Sequence, residues 1–301
     1  MADPYGPHRA FVRPALRSTS IGLVLIIAAA MELAFLATPD ITRLLVPAHL
    51  RDAYDLGDTP LGVIAQLASF ACIALTLVVL VRKLHKRGFW SMVGPVAPTL
   101  RHMKIAGVAV FWVLLAQEFL PPWIIMSELA MTRDILGWAI WIIPALAVLV
   151  IQCGTEELYF RGYLQQQCAA ISDKRWVWMG LPSVLFGVGH YLSGFGPVDG
   201  VLYAFWATLL GLACADLTAR TGNIGAATGL HVSNNLFAFV VIGDLDGPSS
   251  GLALFLYPPF DDSQIDQGFH MLTAPFVLQE AVILTLMVAV MWLSARIAIQ
   301  R

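Results

Sequence analysis

The hydrophobic positions of this chain gather into eight blocks, each close to the ~20 mostly apolar residues that a bilayer-spanning helix needs. They run over Ile21–Thr38, Leu61–Val81, Ile105–Trp123, Ile135–Gln152 with a helical extension beyond it, Trp176–Leu192, Val201–Leu217, Ile224–Ile242 and Pro275–Ile297. The pattern predicts an all-α polytopic membrane protein with about eight transmembrane helices. Arg9, Arg13 and Arg17 precede the first block, as they would in a signal peptide. That block is long for a signal core and no small-x-small cleavage site follows it, so it reads as a retained helix. The chain then divides into an N-terminal segment 1–20, three helices over 21–134, a polar-studded core over 135–242, and a long loop with the last helix over 243–301. The loop Gly243–Ala274 is acidic and broken by Gly and Pro, with a partly embedded apolar stretch at Leu252–Tyr257.

Composition turns this pattern into a requirement. Of 301 residues, 58% are hydrophobic and only 13% are charged, with a mean hydropathy of +0.74. A soluble domain carries about 25% charged residues and needs them to cover its surface. The lipid bilayer is therefore the solvent for most of the chain. A formal net charge of −2 lacks the basic surface that phosphate neutralisation demands, which argues against a nucleic-acid partner. Cys72, Cys153, Cys168 and Cys214 lie in or beside apolar blocks without CxxC spacing, so they read as small buried hydrophobes.

Lys and Arg counts orient the chain. With the N-terminus cytoplasmic, 14 basic residues fall inside and three, Arg43, Arg51 and Arg133, fall outside, with Arg161 set apart as intramembrane. An even number of spans then places both termini in the cytoplasm. The expected location is a bacterial inner membrane.

Ionisable groups within lipid cost about 2.5–3.5 kcal/mol each on insertion scales, so each asks for a reason. Glu32, Glu118 and Glu280 stand alone on their helices and read as helix–helix or interfacial hydrogen-bonding groups. Asp216 has Arg220 one turn on, the spacing of an edge ion pair. The fourth block ends differently, with Glu156 and Glu157 adjacent and Arg161 four residues after Glu157. Helical neighbours point about 100° apart, so the two acids serve different faces. Glu157 and Arg161 form a natural i, i+4 ion pair, which leaves Glu156 without a local partner and suited to hold a water or act as a base. Phe186 and His190 share a face of the fifth block; His231 and Asn235 share one of the seventh. At 1.5 Å per residue, Glu156, His190 and His231 lie ~18, ~21 and ~10 Å from their cytoplasmic helix ends, which lets all three meet near mid-membrane.

These clusters, in this order, resemble the CAAX-protease and bacteriocin-processing (Abi) family of intramembrane endopeptidases. Glu156, Glu157 and Arg161 match its EExxxR motif, Phe186 and His190 its FxxxH, and His231 and Asn235 its HxxxN. Phe160-Arg161-Gly162 and Thr221-Gly222-Asn223 match its flanking words. The resemblance covers about Ile135–Val240. It implies hydrolysis of a peptide bond in a membrane-associated protein or peptide, with no sign that the substrate is prenylated.

Two chemistries fit the same residues. In one, Glu156 activates a water with help from His190, while His231 and Asn235 donate to the oxyanion and Glu157, Arg161 and Phe186 support them. In the other, Glu156, His190 and His231 hold zinc. The absence of HExxH and the choice of Asn at position 235 favour the first, with no cofactor; zinc stays open. A proton- or ion-coupled transporter would spread its carboxylates along a path or show inverted repeats, and neither is visible. A non-catalytic immunity or scaffold protein would tolerate a missing motif residue, and none is missing.

Overall fold

The computed structural model describes residues 3–118, 120, 129–194, 196–258 and 275–300. After a short amphipathic helix α1 (Gly6–Val12) come α2 (Ile21–Leu45), α3 (Pro60–Leu84), α4 (Val96–Gln117) and α5 (Ile142–Ile171). Helix α5 widens to π geometry over Leu158–Gln165, immediately after the paired glutamates. Such bulges shift the register of the residues that follow and recur at functional sites. Then come α6 (Leu181–Gly189) behind a π turn at Trp176–Gly180, α7 (Pro197–Thr221), α8 (Gly225–Leu236) with a π continuation through Val241, and α9 (Pro275–Ala298).

Each of the eight predicted blocks is mainly helical over its described residues. Six of these helices, α2, α3, α4, α5, α7 and α9, are long and apolar enough to cross a bilayer. The blocks Trp176–Leu192 and Ile224–Ile242 instead form the shorter helices α6 and α8. Helix α8 carries Thr228, His231, Ser233, Asn234 and Asn235, and all of them are buried. A helix wrapped by other helices faces no lipid and need not be apolar. By contrast α2 exposes Leu25, Leu33 and Leu36, each more than 60% accessible, as a lipid-facing helix does.

Three boundaries differ from the hydropathy reading by more than four residues, the first being α2, which runs to Leu45, seven residues past Thr38. Helix α4 begins at Val96, nine residues before Ile105, because Arg101 and Lys104 continue the helix beyond its apolar stretch rather than ending it; the expected end at Trp123 lies outside the described residues. The block opening at Ile135 is broken: Ile135–Ala139 is a separate turn capped by Asp134, whose Oδ2 accepts from the Gly137 amide at 2.6 Å. Hydropathy does not register a cap.

Helix α8 is held in the centre by close backbone approach. A Cβ at Gly229 would lie 2.2 Å from the Met103 carbonyl oxygen of α4, and one at Gly107 would lie 3.2 Å from the Gly229 oxygen. Glycine is what allows this crossing. Gly222, at φ +68°, ends α7 in the left-handed region and lets the chain reverse into α8.

The loops sort to two ends. At one end the Ile224 amide donates to Val93 O, His85 meets Ser18, and Arg87 donates to Gln166 and Gln167. At the other, Ser249 and Gly251 amides donate to Leu56 and Gly57, and Trp138 Nε1 donates to Val240 O. Segments assigned to one side by their basic residues thus meet each other. The apolar stretch at Leu252–Tyr257 becomes the middle strand of a small sheet. Strand β1 (Met131–Thr132) pairs antiparallel and β2 (Ile242–Asp244) parallel with β3 (Phe255–Tyr257), in the order β1-β3-β2. Residues 259–274 of the loop lie outside the described residues.

Candidate active site

The site is a polar seam between α5 and α8. On α5, Gln152 and Glu156 are one turn apart; on α8, so are His231 and Asn235. The helices run in opposite directions, so the two stripes meet rung on rung. Asn235 Nδ2 donates to Gln152 Oε1 at 2.8 Å, and one turn further His231 lies between the glutamates. Its Nδ1 is 2.9 Å from Glu157 Oε1, and its Nε2 is 3.5 Å from Glu156 Oε2. All five side chains are buried.

The paired acids divide their roles as their helical angle requires. Glu157, wholly buried, accepts from Arg161 Nη1 at 3.1 Å and from His231 Nδ1 on the same oxygen. Because this carboxylate oxygen only accepts, Nδ1 of His231 carries a proton. Glu156, one residue earlier, faces His231 from the other side. Glu156 Oε2, Glu157 Oε2 and Arg161 Nη2 have no hydrogen-bond partner among the described residues. Three orphaned polar atoms in one buried cluster form a receptive site, since each gains from a water or a substrate group.

Phe186 ties the FxxxH motif to the other two. Its ring lies 4.7 Å from the Arg161 guanidinium carbon, edge-on to His231 at 5.7 Å and 4.5 Å from the His190 ring. His190, at the end of α6 and half-buried, bonds through Nδ1 to Phe186 O at 2.8 Å. Donation to a carbonyl leaves Nε2 as the open nitrogen. No hydrogen bond or ion pair among the described residues joins His190 to Glu156. The structure thus gathers Glu156, Glu157, Arg161, His231, Asn235 and Phe186, and attaches His190 through Phe186.

For the zinc alternative, Glu156 Oε2 and His231 Nε2 are two donors facing one point. His190 does not join them, and no trio of His, Cys, Asp or Glu gathers as a ligand group among the described residues. A catalytic zinc site draws on three protein ligands, and two of the three candidates, Glu156 and His231, face one another here.

Gln152 and Asn234 were not singled out from sequence. Asn234 Nδ2 donates to Asn235 Oδ1 at 3.0 Å. A signal for Gln152 was present: an amide exactly one helical turn before Glu156 in an otherwise apolar run. Among the acids outside the motifs, Glu118 Oε2 is buried without a hydrogen-bond partner among the described residues, whereas Glu32 and Asp216 are partnered. Glu32 accepts from Tyr159 at 3.5 Å, and Asp216 pairs with Arg220 at 2.7 Å.

Residues 136–237 match the family model described as type II CAAX prenyl endopeptidase, Rce1-like. The matched region begins just before α5 and ends two residues after Asn235, so it contains all three motifs and both helices of the seam. The chain is also similar to the uncharacterized protein YyaK of Bacillus subtilis (strain 168), with 26% identity over 174 residues, 57% of this chain and 58% of that protein. It therefore aligns with a little over half of that relative's length. No solved structure matches it. The matched region contains the buried helix α8, whereas α2, outside it, exposes Leu25, Leu33 and Leu36.

Proposed function

We propose that this protein is an intramembrane endopeptidase that hydrolyses a peptide bond of a membrane-associated protein or peptide, with Glu156 as the base that activates water. The observation that carries the reading is the orphaned Glu156 Oε2, buried 3.5 Å from His231 Nε2 in a seam that also presents Asn235. Glu157 and Arg161 offset one another's charge.

In the reaction Glu156 takes a proton from a water, and the hydroxide adds to the scissile carbonyl carbon. Asn235 Nδ2 donates its second hydrogen to the oxyanion. His231 donates there through Nε2 as an imidazolium, because its Nδ1–H is committed to Glu157. When the tetrahedral intermediate collapses, Glu156 returns its proton to the leaving amine. His190 assists through its open Nε2 once substrate brings the groups together, since such bonds tighten on binding. The family description names CAAX prenyl substrates; for this chain the proposal extends to membrane-associated polypeptides, without a prenyl requirement.

The test is single-turnover cleavage of a membrane-embedded reporter peptide by the purified full chain in vesicles. Glu156→Gln should lower the rate by about 10²–10⁴-fold and Asn235→Ala by about 10²–10³-fold, both with the protein assembled. Cleavage should survive stringent chelation, with metal content followed by elemental analysis. A Glu156→Gln protein that cleaves like the parent overturns the role of Glu156; stoichiometric zinc whose removal stops cleavage and whose return restores it overturns the metal-free chemistry. The proposed location is a bacterial inner membrane with both termini cytoplasmic. An impermeant thiol reagent applied from outside should then label Ser249→Cys and spare Ser91→Cys, and the reverse pattern would invert the topology.

A further inference from the structure

We infer that Gln152 is a positioning residue of this site, holding the Asn235 amide in the one orientation that presents an N–H to the reacting carbonyl; the inference rests on the endopeptidase reading above. An asparagine amide rotates in a broad, nearly two-fold well. One face offers donors and the other an acceptor oxygen. An oxyanion is stabilised by the first and repelled by the second, so an unrestrained Asn235 would spend part of its time in the wrong state.

The structure restrains it at both ends. Asn235 Nδ2 donates to Gln152 Oε1 at 2.8 Å, while Asn235 Oδ1 accepts from Asn234 Nδ2 at 3.0 Å. With the oxygen and one N–H engaged, the remaining N–H is fixed in direction. The Gln152 oxygen also receives the Cys153 thiol at 3.1 Å, which holds it as an acceptor toward Asn235. Both amides are more than nine-tenths buried, so water does not compete for either. Gln152 stands one turn before Glu156 on the same helix, so a single rigid element sets both the base and the oxyanion donor. That spacing is what pre-organisation requires: groups held by hydrogen bonds from a regular element rather than from a loop.

A buried amide pair between helices can also serve only as adhesive, and the experiment separates the two roles. Single-turnover kinetics are compared for the full chain in vesicles and for Gln152→Met, Asn235→Ala and the double variant, each normalised to monodisperse protein. Gln152→Met keeps side-chain length and removes the acceptor; Gln152→Leu replaces it where the Met variant does not assemble. The expected result is a turnover about 10–100-fold lower with KM within about twofold, and no further loss when Gln152→Met is added to Asn235→Ala. Rates unchanged by Gln152→Met, or losses that multiply in the double variant, overturn the inference while an inactive Glu156→Gln leaves the endopeptidase reading standing. If Glu156→Gln cleaves as fast as the parent, that reading has failed instead.

Discussion

Two acid–arginine pairs of identical helical spacing sit in this molecule and end in opposite states. Glu157–Arg161 and Asp216–Arg220 are both i, i+4 pairs, at 3.1 and 2.7 Å. Asp216, near the end of α7, is saturated. It accepts from Arg220, from Tyr5 of the N-terminal segment at 2.7 Å and from Trp292 of α9 at 2.8 Å. Its pair keeps some contact with solvent, with side chains 15% and 10% accessible. Glu157 and Arg161 are sealed at 0% and 1%, yet each has an atom without a partner. The first pair is a fastening between three parts of the chain. The second is a charge frame around His231 and Glu156 with unmet hydrogen-bonding capacity. Satisfaction of the polar atoms, more than burial or spacing, separates a structural pair from a site.

The largest effect should come from removing one partner of the sealed pair. Glu157→Gln strands Arg161 in a low-dielectric site and should cost about 3–5 kcal/mol, seen as lost monodisperse yield and a lower unfolding midpoint in a detergent titration. Glu156→Gln should leave that midpoint nearly unchanged, since Glu156 makes no hydrogen bond with Oε2 to lose. Equal loss for both would break the division of roles between the adjacent acids. Asp216→Asn should cost less, about 1–2 kcal/mol, because the amide still accepts through its oxygen and Arg220 can reach water. Removing a single donor, by Tyr5→Phe or Trp292→Phe, should cost about 1 kcal/mol each and leave peptide cleavage intact. Cleavage lost with Tyr5→Phe at unchanged stability would mean that the fastening also serves the reaction.

A separate effect concerns pH at the edge of the saturated hub. His8 of α1 lies against Trp178 with ring centroids 4.4 Å apart and 3.3 Å from the Gln165 amide nitrogen. Burial lowers its pKa to about 4 from the usual 6.5. The unfolded chain therefore binds the proton first, and docking of α1 is fully stable above pH 6.5 and weakens as pH falls toward 4. The full difference approaches about 3 kcal/mol at the acid end, less between pH 7.5 and 6. Proteolysis of the N-terminal segment should accelerate across this range, and His8→Phe should flatten the profile. An unchanged profile in that variant would assign the acid sensitivity elsewhere.

Much of this was legible in the residues. Lipid as the solvent follows from composition, because no soluble core can hide 58% hydrophobic residues. The Glu157–Arg161 and Asp216–Arg220 pairs follow from the helical repeat, which any i, i+4 acid and base must obey. The three motifs announced their chemistry by placing strongly polar groups where lipid charges for them. Where the reading was incomplete, the reason is that hydropathy measures a solvent and not a neighbour. It marked α6 and α8 as spans like the others, although α8 is buried by protein everywhere except at the half-buried Val232 and Leu236.

Contacts between distant segments belonged to the tertiary structure alone. Sequence could place Glu156, His231 and Asn235 at comparable depths; it could not say that Glu157 would take His231 Nδ1 and thereby set which nitrogen is open. Nor could it pair Gln152 with Asn235, 83 residues apart, or stack Phe186 between Arg161 and the two histidines. Local periodicity decides which face a residue occupies, and it is written in the chain. Which face meets it depends on how the helices cross, and the α4–α8 crossing depends on packing at Gly229, where a single added carbon would collide with the Met103 carbonyl oxygen.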